Sequence, residues 1–243
     1  MAFQIIRNDI TKVKADAIVN TANSNGRRNR HGLISFALSL ECNKKTMNET
    51  IDYYERNAAD FACNTTDLEF SEIQDVFLRN LKGGATILDF GCGSGRDTKY
   101  FLQRGYQVVA LDGSAGLCRI AKENTGIPVI QMDFKDFDEQ DKYDGIWACS
   151  SILHLSKLEL KNVLIHMEKA LHDEGIIYTS FKYGNFSGMR NGRFFTDFTE
   201  DSFRTFISDV EQLVIEKLWI TNDVRPGRQD EKWLNMILRT TRR

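Results

Sequence analysis

The chain has 243 residues, of which 42% are hydrophobic, and its formal net charge is −2. This length and apolar content suffice for one sizeable core, or for one domain with a small extension. The nearly neutral charge gives no general attraction to nucleic acid or to an anionic membrane. The sequence has neither an apolar run of about 18 residues, which a membrane span needs, nor the apolar segment of a signal peptide, so we expect a cytoplasmic protein.

The cysteines and the other metal-binding residue types predict neither disulfides nor a metal site. Five cysteines are present, an odd number without a Cys-x-x-Cys pair: Cys42, Cys63, Cys92, Cys118 and Cys149. Free thiols are the expected state. Because His, Cys and carboxylate residues form no cluster with ligand spacing, we expect no metal.

The first 46 residues differ in pattern from the rest of the chain. Phe3–Ile6 and Ala15–Asn20 read as two short strands joined by a polar turn. Residues 1–25 resemble the opening of a macro domain, a family that binds ADP-ribose, with Asn23 matching the position near the distal ribose. A complete macro domain is far longer than 46 residues, so we expect a remnant or extension over residues 1–46 and a separate domain over 47–243.

Two helices are predicted to follow. Residues 47–62 carry Ile51 and Tyr54 on one apolar face at helical spacing, with Asn48 as the N-cap. Residues 71–82 form the second helix, which two glycines end.

The stretch 86–97, Thr-Ile-Leu-Asp-Phe-Gly-Cys-Gly-Ser-Gly-Arg-Asp, organises the rest of the chain. Thr86–Phe90 is a short apolar run, typical of a buried parallel strand. The glycine-rich turn 91–95 follows, and a helix begins at Arg96. A strand, a glycine-rich turn and a helix N-terminus together predict a nucleotide-binding site. The glycines let a ligand approach the backbone closely, and the start of the helix offers free N–H donors.

The spacing of the glycines within this turn indicates which kind of nucleotide the site binds. A dinucleotide fingerprint that begins at Gly91 needs a glycine at position 96, which is Arg. Asp89, two residues before the first glycine, suits a ligand with an ammonium group better than a pyrophosphate. The stretch resembles motif I of the class I S-adenosylmethionine (SAM)-dependent methyltransferases, and the resemblance extends over residues 47–243.

This resemblance implies a set of cofactor contacts around the methionine end of SAM, with S-adenosylhomocysteine as the product. The residues that match this end of the motif are Asp89, Gly91, Cys92, Gly93 and Gly95. It also implies that an aromatic residue of the preceding helix, Tyr54, reaches the methionine carboxylate. The alternative for Tyr54 is an aromatic side chain that only packs on the core.

A second strand, Gln107–Asp112, ends in an acid that lies 21 residues beyond Gly91. At about this separation a carboxylate reaches the ribose hydroxyls, and two vicinal hydroxyls can both donate to it. We therefore expect Asp112 and the adjacent Gly113 at the ribose.

Further helices and strands alternate along the chain, over 114–124, 129–134 and 142–151. The resemblance implies that Asp133 accepts from the adenine amino group, that Phe134 packs against the ring and that Cys149 borders the cofactor.

The segment that follows residue 149 faces the transferred methyl group in this family. It lacks the Asn/Asp-Pro-Pro-Tyr/Phe motif of enzymes that methylate amines of DNA bases, so we expect no DNA substrate. His154 is the candidate general base, with helix capping or packing as the alternative.

The last third of the sequence supplies candidates on the substrate side. After a helix over 158–171 and a strand over 176–181, the glycine-rich loop 182–195 reads as a mobile substrate lid or as a plain surface insertion. Tyr183 and Arg193 belong to it.

A helix with Thr199 as N-cap comes next, and residues 211–224 and 232–241 then pair as a terminal hairpin. Arg225 and Arg228 lie between these two strands. They either clamp a carboxylate or phosphate of the substrate or lie in solvent.

Together the elements predict an α/β fold with a doubly wound, Rossmann-like, seven-stranded sheet. The sheet is expected to be mostly parallel, with a C-terminal antiparallel hairpin and helices on both faces. The predicted function is an enzyme that transfers the SAM methyl group to a nucleophile of a small molecule. The alternatives are a tRNA or RNA methyltransferase that uses Arg190, Arg193, Arg225 and Arg228, and a SAM- or ADP-ribose-binding module without turnover.

Overall fold

A computed structural model of the chain describes residues 49–242. The macro-domain-like segment, the N-cap predicted at Asn48 and the domain boundary after residue 46 lie outside the described residues and stay predictions. Within the described part, no helix is long and apolar enough to cross a membrane.

The described chain alternates between helices and strands for most of its length. The helices are α1 (49–56), α2 (Ala58–Thr65), α3 (Ser71–Leu78), α4 (Arg96–Gln103), α5 (Ala115–Thr125), α6 (Lys157–Ala170) and α7 (Glu200–Ile207). The strands are β1 (Thr86–Phe90), β2 (Gln107–Asp112), β3 (Val129–Gln131), β4 (Tyr143–Ala148), β5 (Leu171–Lys182), β6 (Ser187–Arg190), β7 (Arg193–Thr196), β8 (Leu213–Asn222) and β9 (Lys232–Thr240). Short 3-10 turns occupy Phe134–Asp136 and Ile152–His154.

Helices α1 and α2 continue into each other. The N–H of Asn57 donates to the carbonyl of Tyr53 at 3.0 Å, and the N–H of Phe61 donates to the carbonyl of Asn57 at 2.9 Å. These are the i to i−4 bonds of an α-helix. We call the combined element, residues 49–65, the roof helix.

The central sheet has seven strands in the order β3-β2-β1-β4-β5-β9-β8. The first five are parallel to one another, and β9 runs antiparallel to both β5 and β8. The predicted fold, including its terminal hairpin, is therefore confirmed. The strand order reverses between β1 and β4, and a doubly wound sheet opens its ligand crevice at the carboxyl ends of the strands at such a point.

Both faces of the sheet are buried under helices, as predicted. Side chains alternate along each parallel strand, so Ile87 and Trp147 pack with α3 and α4 while Leu88 and Ile146 join the core on the other face. Trp147 also stacks on Tyr178 of the next strand, with ring centroids 4.0 Å apart. This two-sided core fixes the strand ends that carry the site.

Several strand boundaries differ from the predicted ones, and two of the differences concern β3 and β5. The strand predicted over 129–134 ends at Gln131, because the side chain of Asp133 accepts from the N–H of Lys135 at 3.0 Å and begins a 3-10 turn instead. The strand predicted from residue 176 begins at Leu171, which pairs with Tyr143 of β4.

The prediction of a loop over 182–195 is wrong, because this segment contains the antiparallel hairpin of β6 and β7. Asn191 and Gly192 form its turn, with φ of 51° and 76°. Positive φ at both central residues is the requirement of a type I′ turn, which Asn-Gly meets best.

Candidate functional site

A cavity opens at the carboxyl ends of β1, β2, β4 and β5. Its wall consists of the glycine-rich turn after β1, the ends of β2 and β4, the roof helix, β7 and the turn between β8 and β9. Predicted site residues on this wall are Tyr54, Gly91, Cys92, Gly93, Asp112, Gly113, Asp133, Phe134, Cys149, His154, Arg193, Arg225 and Arg228. Asp89, Gly95 and Tyr183 do not belong to it.

The glycine turn needs its glycines for two separate reasons. Gly91 and Gly93 have φ of 86° and 57°, in the left-handed region that glycine adopts without strain. A Cβ at Gly91 would also lie 2.4 Å from the Cβ of Ser151, which follows β4. The backbone of the turn is therefore packed directly against the end of β4.

The carboxylate of Asp112 faces the cavity beside this turn. It accepts from the N–H of Gly93 at 3.0 Å and from the N–H of Ser114 at 2.9 Å. These two bonds use different oxygens, so each oxygen keeps a free lone pair for a further donor. Burial raises the pKa of Asp112, with the two backbone donors acting in the opposite direction.

Asp89 lies beneath the turn and away from the cavity. Its carboxylate accepts from the hydroxyl of Thr98 at 2.6 Å, and burial, together with the nearby charge of Asp97, raises its pKa to about 8. Asp97, eight residues later, lines the cavity instead, and its carboxylate is bound by Arg96 through two hydrogen bonds. Gln74 donates to Asp97 at 2.6 Å and the indole of Trp147 donates at 2.8 Å.

Three further residues that were predicted to contact the cofactor differ in whether they reach the cavity. Gly95 is the left-handed N-cap of α4 and packs against α5 rather than against the cavity. Phe134 lies in the cavity wall and packs on Phe90, with ring centroids 4.6 Å apart. Cys149 also lies in this wall, and burial raises the pKa of its thiol to about 12.

Tyr54, His154 and Arg193 form a directed chain of hydrogen bonds. The Nδ1 of His154 lies 2.6 Å from the carbonyl oxygen of Phe194, which only accepts, so Nδ1 carries the proton. Its Nε2 then accepts from the hydroxyl of Tyr54 at 2.8 Å, and Nη1 of Arg193 donates to the same hydroxyl at 3.3 Å. Burial lowers the pKa of His154 to about 4, so its ring is neutral near pH 7.

The roof helix is held over the cavity from two sides. On one side, the carboxylate of Glu55 accepts from the hydroxyl of Ser114 at 2.7 Å and from the N–H of Gly116 at 2.8 Å. These contacts lower the pKa of Glu55, with the Gly116 N–H as the largest cause. On the other side, the N–H of Phe194 donates to the hydroxyl of Thr50 at 3.1 Å.

The two arginines in the turn between β8 and β9 line the cavity, and each of them is paired with a carboxylate. Arg225 binds Asp223 with two hydrogen bonds, and Arg228 binds Glu231 in the same way. Lys182, at the end of β5, donates to both carboxylates at 3.1 and 2.5 Å.

Several residues of this site were not predicted from the sequence. The charged examples are Arg96, Asp97, Lys182 and Asp223 in the cavity wall and Glu55 in the roof helix. Ser151 and Trp233 also line the wall. Only Lys182 carried a usable signal, since a charged residue that ends a buried strand lies at the edge where ligands bind. Tyr183, which was predicted on the substrate side, is instead exposed and donates to Glu200 at 3.3 Å.

The sheet order, the glycine turn at the point of reversal and the acid on the neighbouring strand define a nucleotide-binding α/β protein of the Rossmann-like class. A family model described as a methyltransferase domain matches residues 87–175. That segment is a class I SAM-dependent methyltransferase domain.

Known proteins resemble the chain over larger parts of its length. A solved structure of the N-methyltransferase NodS from Bradyrhizobium japonicum, in complex with S-adenosylhomocysteine, superposes with a TM-score of 0.64 at 18% identity, over 79% of this chain and 99% of that one. The chain is 25% identical to (S)-tetrahydroprotoberberine N-methyltransferase of Eschscholzia californica, over 79% of this chain and 56% of that protein. It is 31% identical to a glycine/sarcosine N-methyltransferase of Halorhodospira halochloris over 42% of each. The chain thus spans about half the length of these two relatives.

Proposed function

We propose that this protein is a SAM-dependent methyltransferase whose acceptor is a small molecule. The observation that carries the proposal is the carboxylate of Asp112, which faces the cavity one strand away from the glycine turn. The match of residues 87–175 to a methyltransferase domain supports it, as does the resemblance to named N-methyltransferases.

The cavity fits the nucleoside of such a cofactor. Asp112 holds two free lone pairs next to each other, as two vicinal ribose hydroxyls require. Asp133 and Phe134 lie on the same wall at the end of β3, where they would bind the adenine amino group and ring. The turn at Gly91 leaves no room for a side chain, so a ligand can approach its backbone closely. The N–H groups of Gly91, Cys92, Gly93 and Gly95 themselves donate to acceptors within the fold. We assign the methionine end of the cofactor to this turn.

When bound, SAM supplies a methyl group that its sulfonium already activates, so the protein contributes binding, orientation and exclusion of water. Alignment of this kind contributes up to about 7–11 kcal/mol. Tyr54 and Phe61 of the roof helix line the cavity opposite the sheet and would keep water out.

His154 acts in this proposal as a positioning residue for Tyr54 and not as the general base. Both of its ring nitrogens are engaged, and its lowered pKa makes it a weak base. The acceptor must then bring its own lone pair, as a neutral amine nitrogen does. The two curated relatives are both N-methyltransferases, which agrees with an amine acceptor.

The RNA alternative depended on four arginines, and the structure pairs three of them. Arg190 binds Asp197, Arg225 binds Asp223 and Arg228 binds Glu231. The remaining one, Arg193, lines the cavity. These residues therefore do not supply the free positive charges along a surface that a nucleic-acid backbone needs, and a small acceptor fits better.

The test compares ligands by calorimetry and by thermal stability. S-adenosylhomocysteine, SAM, NAD and ADP-ribose are titrated separately into the full chain. We expect binding of the two adenosyl-sulfur ligands alone, with stabilisation of about 2.7 kcal/mol at 100 times the dissociation constant. Binding of NAD or ADP-ribose alone would refute the proposal. Incubation with methyl-labelled SAM and a panel of small amines then separates an enzyme from a binding module, because only an enzyme yields a labelled product.

A further inference from the structure

We propose that Arg193 binds a carboxylate of the acceptor, so that the substrate is a small carboxylic acid with a nucleophilic nitrogen. This inference rests on the proposed function and names the substrate class of the same site. The observation behind it is that the guanidinium of Arg193, unlike the other cationic groups around the cavity, has no carboxylate partner within the described residues.

Five cationic side chains line the cavity in the part of the chain that the structure describes: Arg96, Lys182, Arg193, Arg225 and Arg228. Four of them have carboxylate partners, namely Asp97 for Arg96, Asp223 and Glu231 for Lys182, Asp223 for Arg225 and Glu231 for Arg228. Arg193 forms no ion pair with any residue between 49 and 242. Arg193 is therefore the cation of this wall that has no carboxylate partner within the described residues.

One hydrogen-bond donor of Arg193 also lacks an acceptor within the described residues. Its Nη1 donates to Tyr54 at 3.3 Å. Its Nε–H is buried and has no acceptor among residues 49–242. A buried donor without an acceptor is destabilising, and such a group in a cavity wall calls for a ligand that supplies the acceptor. A planar carboxylate matches the fork of a guanidinium, with two parallel hydrogen bonds.

Aromatic rings hold the guanidinium in place. Its central carbon lies 4.5 Å from the ring centroid of Tyr53, 5.3 Å from that of Phe195 and 5.6 Å from that of Tyr54. These rings limit hydration of the cation, which strengthens its attraction to an anion.

The position of Arg193 points to the acceptor rather than to the cofactor. Arg193 begins β7, in the hairpin that follows β5, and its hydrogen-bonded neighbour Tyr54 contacts His154 after β4. The residues assigned to the nucleoside follow β2 and β3, on the other side of the point where the strand order reverses. The acceptor occupies the β4 and β5 side in this arrangement.

The first experiment observes the Nε–H resonance of Arg193 directly by nitrogen-15 NMR. Acetate is titrated into the full chain with saturating S-adenosylhomocysteine, and acetamide is titrated as the neutral probe of equal shape. Sodium chloride at matched ionic strength controls for screening. We expect acetate to shift the resonance saturably, with an affinity at least about tenfold above that of acetamide. Equal responses to acetate and acetamide, or none, would overturn the inference.

The second experiment separates the two possible sources of a carboxylate, the acceptor and the cofactor. S-adenosylhomocysteine carries a methionine carboxylate, and 5′-methylthioadenosine has the same nucleoside without it. We expect the variants Arg193→Gln and Arg193→Lys to change the affinities for both nucleosides by less than about threefold. In calorimetric titrations Arg193→Gln should abolish the preference for acetate over acetamide, and Arg193→Lys, which keeps the charge but not the fork, should reduce it. A loss of affinity for S-adenosylhomocysteine alone would assign Arg193 to the cofactor and overturn the acceptor assignment.

Arg190→Gln is the matched control on the same hairpin. Arg190 also lies over the ring of Phe195, at 4.8 Å, but it is paired with Asp197 and is not part of the cavity wall. We expect this variant to keep the preference for acetate over acetamide. If neither nucleoside binds the wild-type chain, the proposed function fails, and the acetate titration without nucleoside still decides whether Arg193 binds a carboxylate.

Discussion

Replacement of Asp112 by Asn gives the most informative test of the cofactor assignment. Each oxygen of this carboxylate already accepts one backbone N–H, from Gly93 or from Ser114. The amide group of Asn would bring an NH₂ donor against one of these N–H donors, and it keeps only one oxygen for the ribose. Asp112→Asn should therefore weaken S-adenosylhomocysteine binding nearly as much as Asp112→Ala does.

The expected loss follows from the bonds that disappear. A hydrogen bond to a charged group contributes about 1.5–3 kcal/mol, and the ribose would make two of them to Asp112. Allowing for water that replaces part of the lost contact, we expect at least about 3 kcal/mol, which is roughly a hundredfold or more in the dissociation constant. The assay is isothermal titration calorimetry with S-adenosylhomocysteine.

Asp144→Asn is the control for this prediction. Asp144 accepts from the N–H of Thr86 at 2.7 Å, at the amino ends of β1 and β4, where no cavity residue lies. We expect its effect on the affinity to stay within about twofold. If Asp112→Asn and Asp112→Ala fold normally and bind within threefold of the wild type, Asp112 is not the ribose acceptor and the reasoning is refuted.

Two further predictions concern stability. Gly91→Ala should lower the free energy of unfolding by at least about 3 kcal/mol, because its Cβ would meet the Cβ of Ser151 at 2.4 Å, whereas Gly84→Ala, at φ of 78° with nothing within 4 Å, should cost only about 1–2 kcal/mol. Equal losses in urea denaturation would contradict the packing argument. Burial lowers the pKa of His154 to about 4, so between about pH 6.5 and 4 the unfolded chain binds more protons than the folded chain. The free energy of unfolding should therefore fall by up to about 3 kcal/mol as the pH drops through this window. His154→Gln should remove this part of the pH dependence, and an unchanged profile would show that His154 does not contribute to it.

The parts of the fold that were predicted correctly depend on short-range signals. The run before Gly91, the turn after it and the acid that ends β2 follow one another within 27 residues, from Thr86 to Asp112. Each local pattern agrees with the next, so the parallel sheet and its crevice could be inferred together. The hairpin of β6 and β7 carried a comparable signal in Asn191-Gly192, which the surrounding glycines and aromatic residues obscured.

The parts of the site that were not predicted depend on contacts between distant residues. Arg193 and Arg225 look alike in the sequence, yet Arg225 is paired with Asp223 and Arg193 has no carboxylate partner within residues 49–242. That difference is set by which acids the fold brings within reach, and no local pattern records it. The same holds for His154, whose assignment as a base changed once Tyr54, 100 residues earlier, was found hydrogen-bonded to its Nε2.

The cavity-wall residues follow one another along the sequence in an order that bears on how the acceptor of such a protein can change. The residues assigned to the cofactor lie between positions 91 and 134, and those on the acceptor side lie between 149 and 235, with the roof helix shared by both. Substitutions in the later segment, above all in the β6–β7 hairpin, can replace one acceptor by another while the earlier segment stays the same. A chimera that exchanges only this hairpin between relatives would thus inherit a new acceptor and keep its old cofactor.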